Sequence, residues 1–368
     1  MPPNTNSRSY DEASYHTMEA SVDQLINATP YVDLEVAHTD LFEGAFKVVT
    51  AVFPSWQREH IKFVQCKDGI TNQLVRATHL PSDFTVLVRA YGKGSDRIID
   101  RRQEMINMIT LSSENLCPPL YARFKNGLVY GFIKGRVSSV EDLGQPEQAH
   151  WIAKRLGKWH KVKLPQADCQ ACNGQKLWTT MRQWLSQVPA KYQNPRSQHT
   201  FAKRFDMKKI ASELDWLIKR LEVLGSPIVF SHNDLLYGNI ILDDQKGEAS
   251  FIDYEYGCYA SRGFDIGNHF NEFAGFECDY SRYPTKEFQL QWFEWYLTEY
   301  NSGVAPSIED LETLYHEVNG FSLASHFYWG LWALVQAMVS DIDFDYMNYA
   351  VLRFDEYEKR KQQVIPTL

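Results

Sequence analysis

The periodicity of the apolar residues changes once along this chain, and that change limits the fold more than any single motif does. Between Ile61 and Ile133 apolar residues alternate in short runs, IKFVQC, QLVRAT, FTVLVRAY, LYARF and LVYGFI. Alternation at a period of two puts one face of each run on a core, which predicts strands. KDGITN reads as the loop of a first hairpin. Lys125-Asn126-Gly127 reads as a tight turn, because Asn-Gly suits short hairpin connections. Helical spacing occurs once in this half, in DRIIDRRQEMINMITL, and Gly92-Lys93-Gly94-Ser95 before it is read as a strand-to-helix turn, since no Walker-type G-x-x-x-x-G-K-[ST] is present. Beyond Ile133 helical spacing dominates, in EQAHWIAKRLGKWHKV, KLWTTMRQWLSQV, KKIASELDWLIKRLEVL and EFQLQWFEWYLTEYN. One β island, Ile228 to Tyr256, interrupts it. The expected architecture is α+β: a flexible tail over 1–28, a small antiparallel sheet lobe over 29–135, and a larger, mainly helical lobe over 136–368, with a cleft between the lobes.

A chain of 368 residues, 44% hydrophobic and 14% aromatic, has enough apolar material for two such cores. Its formal net charge of -8 is the wrong sign for nucleic acid or an anionic membrane surface, and it favours a cationic partner. The opening MPPNTNSRSYDEASYH has no apolar h-region, and the run Leu331 to Val339 is far shorter than the ~20 residues a membrane span needs. A soluble, cytoplasmic protein without stable membrane insertion is expected, and a homodimer is left open. Of the six cysteines only Cys169 and Cys172 form a C-x-x-C pair, and no second pair completes a zinc site, so reduced thiols are expected.

The chemistry-bearing pattern lies in the β island. Ser231-His232-Asn233-Asp234 is followed at the spacing H-x-D-x₄-N by Asn239, and then by an apolar strand ending at Asp253 in Phe251-Ile252-Asp253-Tyr254-Glu255. Phosphoryl transfer asks for these residue types: a carboxylate to accept the proton of the attacking hydroxyl, and an amide oxygen and a second carboxylate to hold Mg²⁺ against a triphosphate. Asp234 is the candidate base. Asn239 and Asp253 are the candidate metal ligands, and Glu255 joins them. The loop from Asp243 to Gly247 lets the strand after Asn239 turn back on the strand before Asp253, so the two ligands meet. Any one aspartate alone is more often a turn or cap residue; the three positions together carry the reading.

With HNDLLYGNII, FIDYEYGCYASRGFDIGNHFNEF and HFYWGLWALVQAM on the page, the chain resembles the kinase-like small-molecule phosphotransferases, and within them the choline and ethanolamine kinase family, over about residues 60 to 360. The resemblance implies a two-lobed, protein-kinase-like fold that uses ATP and Mg²⁺. It implies phosphate contacts from the loop holding Gly69, Thr71 and Asn72, a phosphate-contacting cation at Arg89, and an ion-pair partner for it at Glu104. Adenine contacts fall to Phe132 and Ile133; where relatives usually carry an acidic residue in the segment joining the lobes, this chain has Gly131. Asp265 is expected to brace the catalytic loop, and His232, His269 and His326 are read as hydrogen-bonded structural histidines.

The implied acceptor is a small amino alcohol. Trp329 and Trp332 lie three apart on a helix, and Tyr346 and Tyr349 repeat that spacing, so each pair shares a face. Aromatic stripes at this spacing are usually core; with the resemblance they become a cation pocket, to which Tyr256 and Glu272 are added. The continuation Phe273-Ala274-Gly275-Phe276-Glu277 is small, and it resembles the ethanolamine-directed branch, which makes phosphoethanolamine for phosphatidylethanolamine synthesis. Choline or dual specificity is the alternative, and a catalytically inactive, kinase-like binding protein is the alternative of a different class. No D-F-G and no A-P-E segment supports protein-kinase activity.

Overall fold

The computed structural model describes residues 23–66, 72–92, 100–165, 175–340 and 344–368. The chain divides into two compact units, Met1–Phe132 with Lys163–Gln170, and Ile133–Val162 with Ala171–Leu368.

In the first unit six strands form one sheet in the order β1-β5-β6-β4-β3-β2. They are β1 (Tyr31–Val32), β2 (Ile61–Cys66), β3 (Asn72–His79), β4 (Phe84–Tyr91), β5 (Leu120–Phe124) and β6 (Gly127–Gly131). The expected antiparallel sheet is corrected in one respect: β1 pairs parallel to β5, Tyr31 opposite Arg123. A strand of two residues leaves no alternation to read. Of the segment expected as a tail, residues 23–28 are helical, Ile26 is buried, and Asp23 pairs with Arg102 at 2.8 Å.

Helix α1 (Leu41–Val52) covers the sheet. Leu41, Ala45, Val48 and Val49 point to one side, as i, i+4, i+7 and i+8 spacing requires, and meet Val75, Ala77, Val86, Val88, Ala122 and Val129. Helix α2 (Arg101–Ser113) starts where the side chain of Asp100 accepts the Gln103 N–H at 3.1 Å. The β5–β6 hairpin turns at Lys125–Asn126, but neither residue needs a positive φ. Gly127 is there for space: a Cβ on it would lie 2.0 Å from the Arg89 carbonyl oxygen. The Asn126 side chain instead clamps Val36, accepting from its N–H at 3.0 Å and donating to its carbonyl at 2.9 Å.

The second unit is built on helices α3 (Val140–Leu143), α4 (Pro146–Trp159), α5 (Gln175–Gln187), α6 (Pro195–Arg204), α7 (Met207–Glu222), α8 (Arg262–Asn271), α9 (Lys286–Tyr300), α10 (Ile308–Val339) and α11 (Tyr346–Val364). Residues Glu317 to Gln336 of α10 are buried on every face, which makes that helix the axis of the unit. Helices α8 and α11 pack closely on it, and glycine permits this: a Cβ on Gly267 would lie 2.8 Å from the Val318 carbonyl oxygen, and one on Gly330 would lie 2.6 Å from the Phe354 ring. The β island forms two small sheets. Strands β7 (Arg136–Val137), β9 (Ile240–Asp243) and β10 (Glu248–Phe251) pair in the order β10-β9-β7, and β8 (Ile228–Ser231) pairs with β11 (Cys258–Ser261). Among the described residues no helix is long and apolar enough to cross a membrane.

Candidate active site

The loop after β8 is held from below by one carboxylate. Asp265, in the first turn of α8, accepts the backbone N–H groups of His232 and Asn233, both at 2.7 Å, and His160 Nε2 contacts it at 2.9 Å. Burial works to raise its pKa, but these donors outweigh burial and hold it below the usual carboxylate range. Asn233 adopts the left-handed conformation at φ 66°, which asparagine tolerates, and its amide donates to the Tyr256 carbonyl at 2.9 Å. The turn is therefore fixed by backbone and side chain together, and Asp234 leaves it in one orientation. The expected bracing by Asp265 is what the hydrogen bonds describe.

Strands β9 and β10 bring the next two residues together. Ile240 pairs with Phe251 in antiparallel register, and the Ile252 N–H donates to the Asn239 carbonyl at 2.9 Å, so Asn239 and the Asp253 segment leave adjacent strand ends. Asp253 also sits at positive φ, 65°. The Asn239 amide donates to the Asp234 carbonyl at 2.8 Å and to Asp234 Oδ2 at 2.9 Å. Its own Oδ1 is then turned away from those donated bonds, as an oxygen ligand would be.

Negative charge accumulates here. The pKa of Asp234 is pushed well above the ordinary aspartate value, by burial first, and then by the charges of Asp253, Glu272 and Glu255. Three of the expected site residues thus act electrostatically on the fourth. Among the described residues no group of three or more His, Cys, Asp or Glu side chains could hold an ion alone. An oxygen-only set of an amide and two carboxylates fits magnesium, which keeps water and substrate phosphate in its shell.

An aromatic wall stands beside these carboxylates. Tyr256 meets Trp329 at 5.5 Å between ring centroids, Trp329 meets Trp332 at 5.4 Å, and Trp332 meets Tyr346 at 5.6 Å, all edge to face. Tyr349 joins through Phe344, at 5.7 Å from that ring, and Phe344 lies 4.9 Å from Tyr346. All five aromatic residues expected at the pocket are in one group. Their polar edges are taken: Trp329 Nε1 donates to Asn268 Oδ1 at 2.7 Å, and Trp332 Nε1 to the Tyr256 hydroxyl at 3.2 Å.

Glu272 follows α8 and accepts from Arg353 Nη1 at 3.0 Å. Arg353, Phe344, Asn268 and Ser325 are absent from the sequence-derived set. Arg353 had a readable signal, since it lies one turn from Tyr349 and two turns from Tyr346 on α11 and so shares their face. Of the histidines, His232 contacts the Ile252 carbonyl at 3.0 Å and His269 the Leu235 carbonyl at 2.9 Å. His326 departs from expectation: it is fully buried with neither ring nitrogen hydrogen-bonded, and its ring meets that of Tyr280 at 5.1 Å.

In the first unit Arg89 and Glu104 form a buried ion pair, and Arg101 Nη1 adds a second cation to Glu104 at 3.0 Å. Gly69 and Thr71 lie outside the described residues, as do Lys93 to Ser95, Cys169 and Cys172; Asn72 opens β3 opposite Tyr91. Phe132 donates its N–H to the Thr85 carbonyl at 3.3 Å and lies under the Arg76 guanidinium, and the division between the units falls between it and Ile133. Gly131 has a local reason: a Cβ there would lie 3.0 Å from Pro118 Cβ and 3.3 Å from Pro119 Cδ.

Comparison with known proteins finds relatives of one kind over most of the chain. The profile of a family described as choline/ethanolamine kinase matches residues 63–358. Ethanolamine kinase 2 of Rattus norvegicus is 41% identical over 344 residues, covering 92% of this chain and 86% of that protein. Probable ethanolamine kinase A of Dictyostelium discoideum is 42% identical over 315 residues, 83% of this chain and 87% of that protein. The solved structure of a Plasmodium vivax ethanolamine kinase superposes with a TM-score of 0.77 at 27% identity, covering 96% of this chain and 95% of that one.

Proposed function

Because this chain belongs to the choline/ethanolamine kinase family, we propose that it transfers the terminal phosphoryl group of ATP to the hydroxyl of ethanolamine, giving phosphoethanolamine and ADP. The observation that carries the reading is the pairing of a carboxylate group, buried Asp234 and Glu272 with half-buried Asp253 and Glu255, with a wall of aromatic rings from Tyr256, Trp329, Trp332, Tyr346 and Tyr349. Such a site is costly to leave without a cation, and a small ammonium is the cation it suits.

The roles follow from the positions. Asp234, fixed by Asn239, accepts the proton of the substrate hydroxyl as its oxygen bonds to the γ-phosphorus and the bond to the ADP oxygen breaks. A bound cation offsets the like charges that raise its pKa, and so favours the ionised form that accepts the proton. Asn239, Asp253 and Glu255 are the oxygen donors that would hold Mg²⁺, which supplies charge neutralisation of the triphosphate. Arg89, oriented by Glu104, contacts phosphate, with Gly69, Thr71 and Asn72 as the phosphate loop, and Phe132 and Ile133 contact adenine. Glu272 and the aromatic group bind the ammonium. The reading places the protein in the cytoplasm, at the entry to phosphatidylethanolamine synthesis.

The test is a coupled ADP-release assay with Mg²⁺ across ethanolamine, its N-methyl and N,N-dimethyl derivatives, and choline. A primary ammonium has three N–H donors, and each methyl group removes one and leaves a buried acceptor without it, at roughly 1–3 kcal/mol for a full loss. The expected order of kcat/KM is ethanolamine, monomethyl, dimethyl, choline. A preference for choline would establish the aromatic wall as a quaternary-ammonium cage instead. ATP binding without ADP release on any substrate would establish a binding protein.

A further inference from the structure

Arg353 is a cation hydrogen-bonded to Glu272 of the carboxylate group, and both terminal nitrogens of its guanidinium have partners. It is buried, at 2% exposure, on α11. Nη1 donates to Glu272 Oε1 at 3.0 Å and to the Tyr349 hydroxyl at 3.1 Å, and Nη2 donates to Ser325 Oγ at 3.1 Å. Ser325 passes the connection on, donating at 2.8 Å to the same Asn268 Oδ1 that receives Trp329 Nε1, and the Asn268 amide donates to the Asn233 carbonyl at 3.3 Å. One guanidinium thus ties the turn after α8, helix α10, helix α11 and the residue before Asp234 into a continuous set of bonds. His326 beside it adds no competing charge: burial, and then Arg353, Arg360 and Lys359, hold the ring neutral.

Resting on the function proposed above, we propose that Arg353 is a positioning residue that sets selectivity for a primary over a quaternary ammonium, by locking the plane of the Glu272 carboxylate. The direction of the carboxylate and its charge act separately on the two substrates. A carboxylate bonded through Oε1 cannot rotate freely, so Oε2 points in one direction, which benefits a substrate whose N–H groups need acceptors at defined angles. Choline has no N–H donor and responds only to negative potential and π faces, which tolerate a rotating carboxylate. Removing the guanidinium also removes a positive charge from the pocket, and that change favours any cation. The charge change helps both cations alike, so loss of Arg353 lowers the ratio of ethanolamine to choline through the freed carboxylate alone.

The experiment compares kcat and KM for ethanolamine, choline and ATP in the full-length protein and in Arg353→Lys, Arg353→Met and Ser325→Ala, with thermal melting of each. Arg353→Lys keeps the charge and loses the planar fork; Ser325→Ala keeps the guanidinium and removes one of its anchors. The expected result is a ratio of kcat/KM, ethanolamine to choline, lowered ~10-fold in Arg353→Lys, at least as much in Arg353→Met, and less in Ser325→Ala. The change should lie in KM for the amino alcohol, with KM for ATP unmoved, which a general loss of structure would not produce. If Arg353→Met does not fold, the lysine and alanine variants decide. A ratio within twofold of wild type in folded Arg353→Lys and Ser325→Ala overturns the inference and leaves the proposed function standing. Wild-type protein that does not phosphorylate ethanolamine overturns both.

Discussion

At the scale of single residues, Asp234 concentrates the chemistry and its environment makes a pH prediction. Burial and the charges of Asp253, Glu272 and Glu255 raise its pKa, so the proton leaves at a higher pH than from an ordinary aspartate. The acid limb of kcat/KM should accordingly lie well above pH 3.8, and Glu255→Gln at saturating Mg²⁺ should move it down, because one like charge has gone. A limb that stays in place in Glu255→Gln would mean that Glu255 does not act on Asp234. Asp234, Asn239 and Asp253 were legible in the sequence because their spacing is local: two short strands and one turn bring them together. Arg353 offered only its spacing from Tyr346 and Tyr349 on α11, because its partners Glu272 and Ser325 lie 81 and 28 residues away and meet it only through packing.

At the scale of elements, strand β4 and helix α2 act through one buried set of charges. Glu104 is fully buried and receives both Arg89 and Arg101, so removing it leaves two cations without that carboxylate. Taking one partner from a buried pair costs ~3–5 kcal/mol, and Glu104→Ala should lower stability as well as raise KM for ATP. Arg89→Ala should raise KM for ATP, and the double variant should be hardly worse than the poorer single one, since the residues act as a unit. Fully additive losses in a double-mutant cycle would show that they act separately. Elements were legible where periodicity was long. Helix α1 carries the spacing in Leu41, Ala45, Val48 and Val49, but LFEGAFKVVTAV blurs it with further β-branched residues and a glycine, and packing on the sheet overrides their weak propensity. Strands β1 and β7, of two residues each, carry no pattern at all.

At the scale of the whole molecule, the shift from alternating to helical periodicity indicated only an α+β chain with a sheet lobe and a helical lobe; the protein-kinase-like class was implied by the resemblance of the motif blocks. The Ile133–Leu368 unit carries a further consequence of burial. His160, His232, His269 and His326 are all buried, and burial lowers the pKa of each, to about 4 for His269. Below pH 6.5 the unfolded chain takes up protons that these folded rings refuse, so stability falls as pH falls. The raised pKa of Asp234 acts in the opposite direction, one group against four. The urea midpoint should therefore drop steadily as the pH falls from 7 to 5. A midpoint that holds or rises would mean that the rings are protonated in the folded protein.

The central claim, phosphoryl transfer to ethanolamine with Asp234 as base, is tested most directly by following the product. Protein incubated with ATP, Mg²⁺ and ethanolamine is assayed by phosphorus NMR for phosphoethanolamine, alongside Asp234→Asn, whose amide preserves shape but accepts no proton. The expected outcome is one phosphoethanolamine for each ADP in the wild type and a loss of ~10²–10⁴-fold in kcat in the variant, with ATP still bound. ADP formed without phosphoethanolamine, or a variant that keeps more than about a tenth of the wild-type rate, would contradict it.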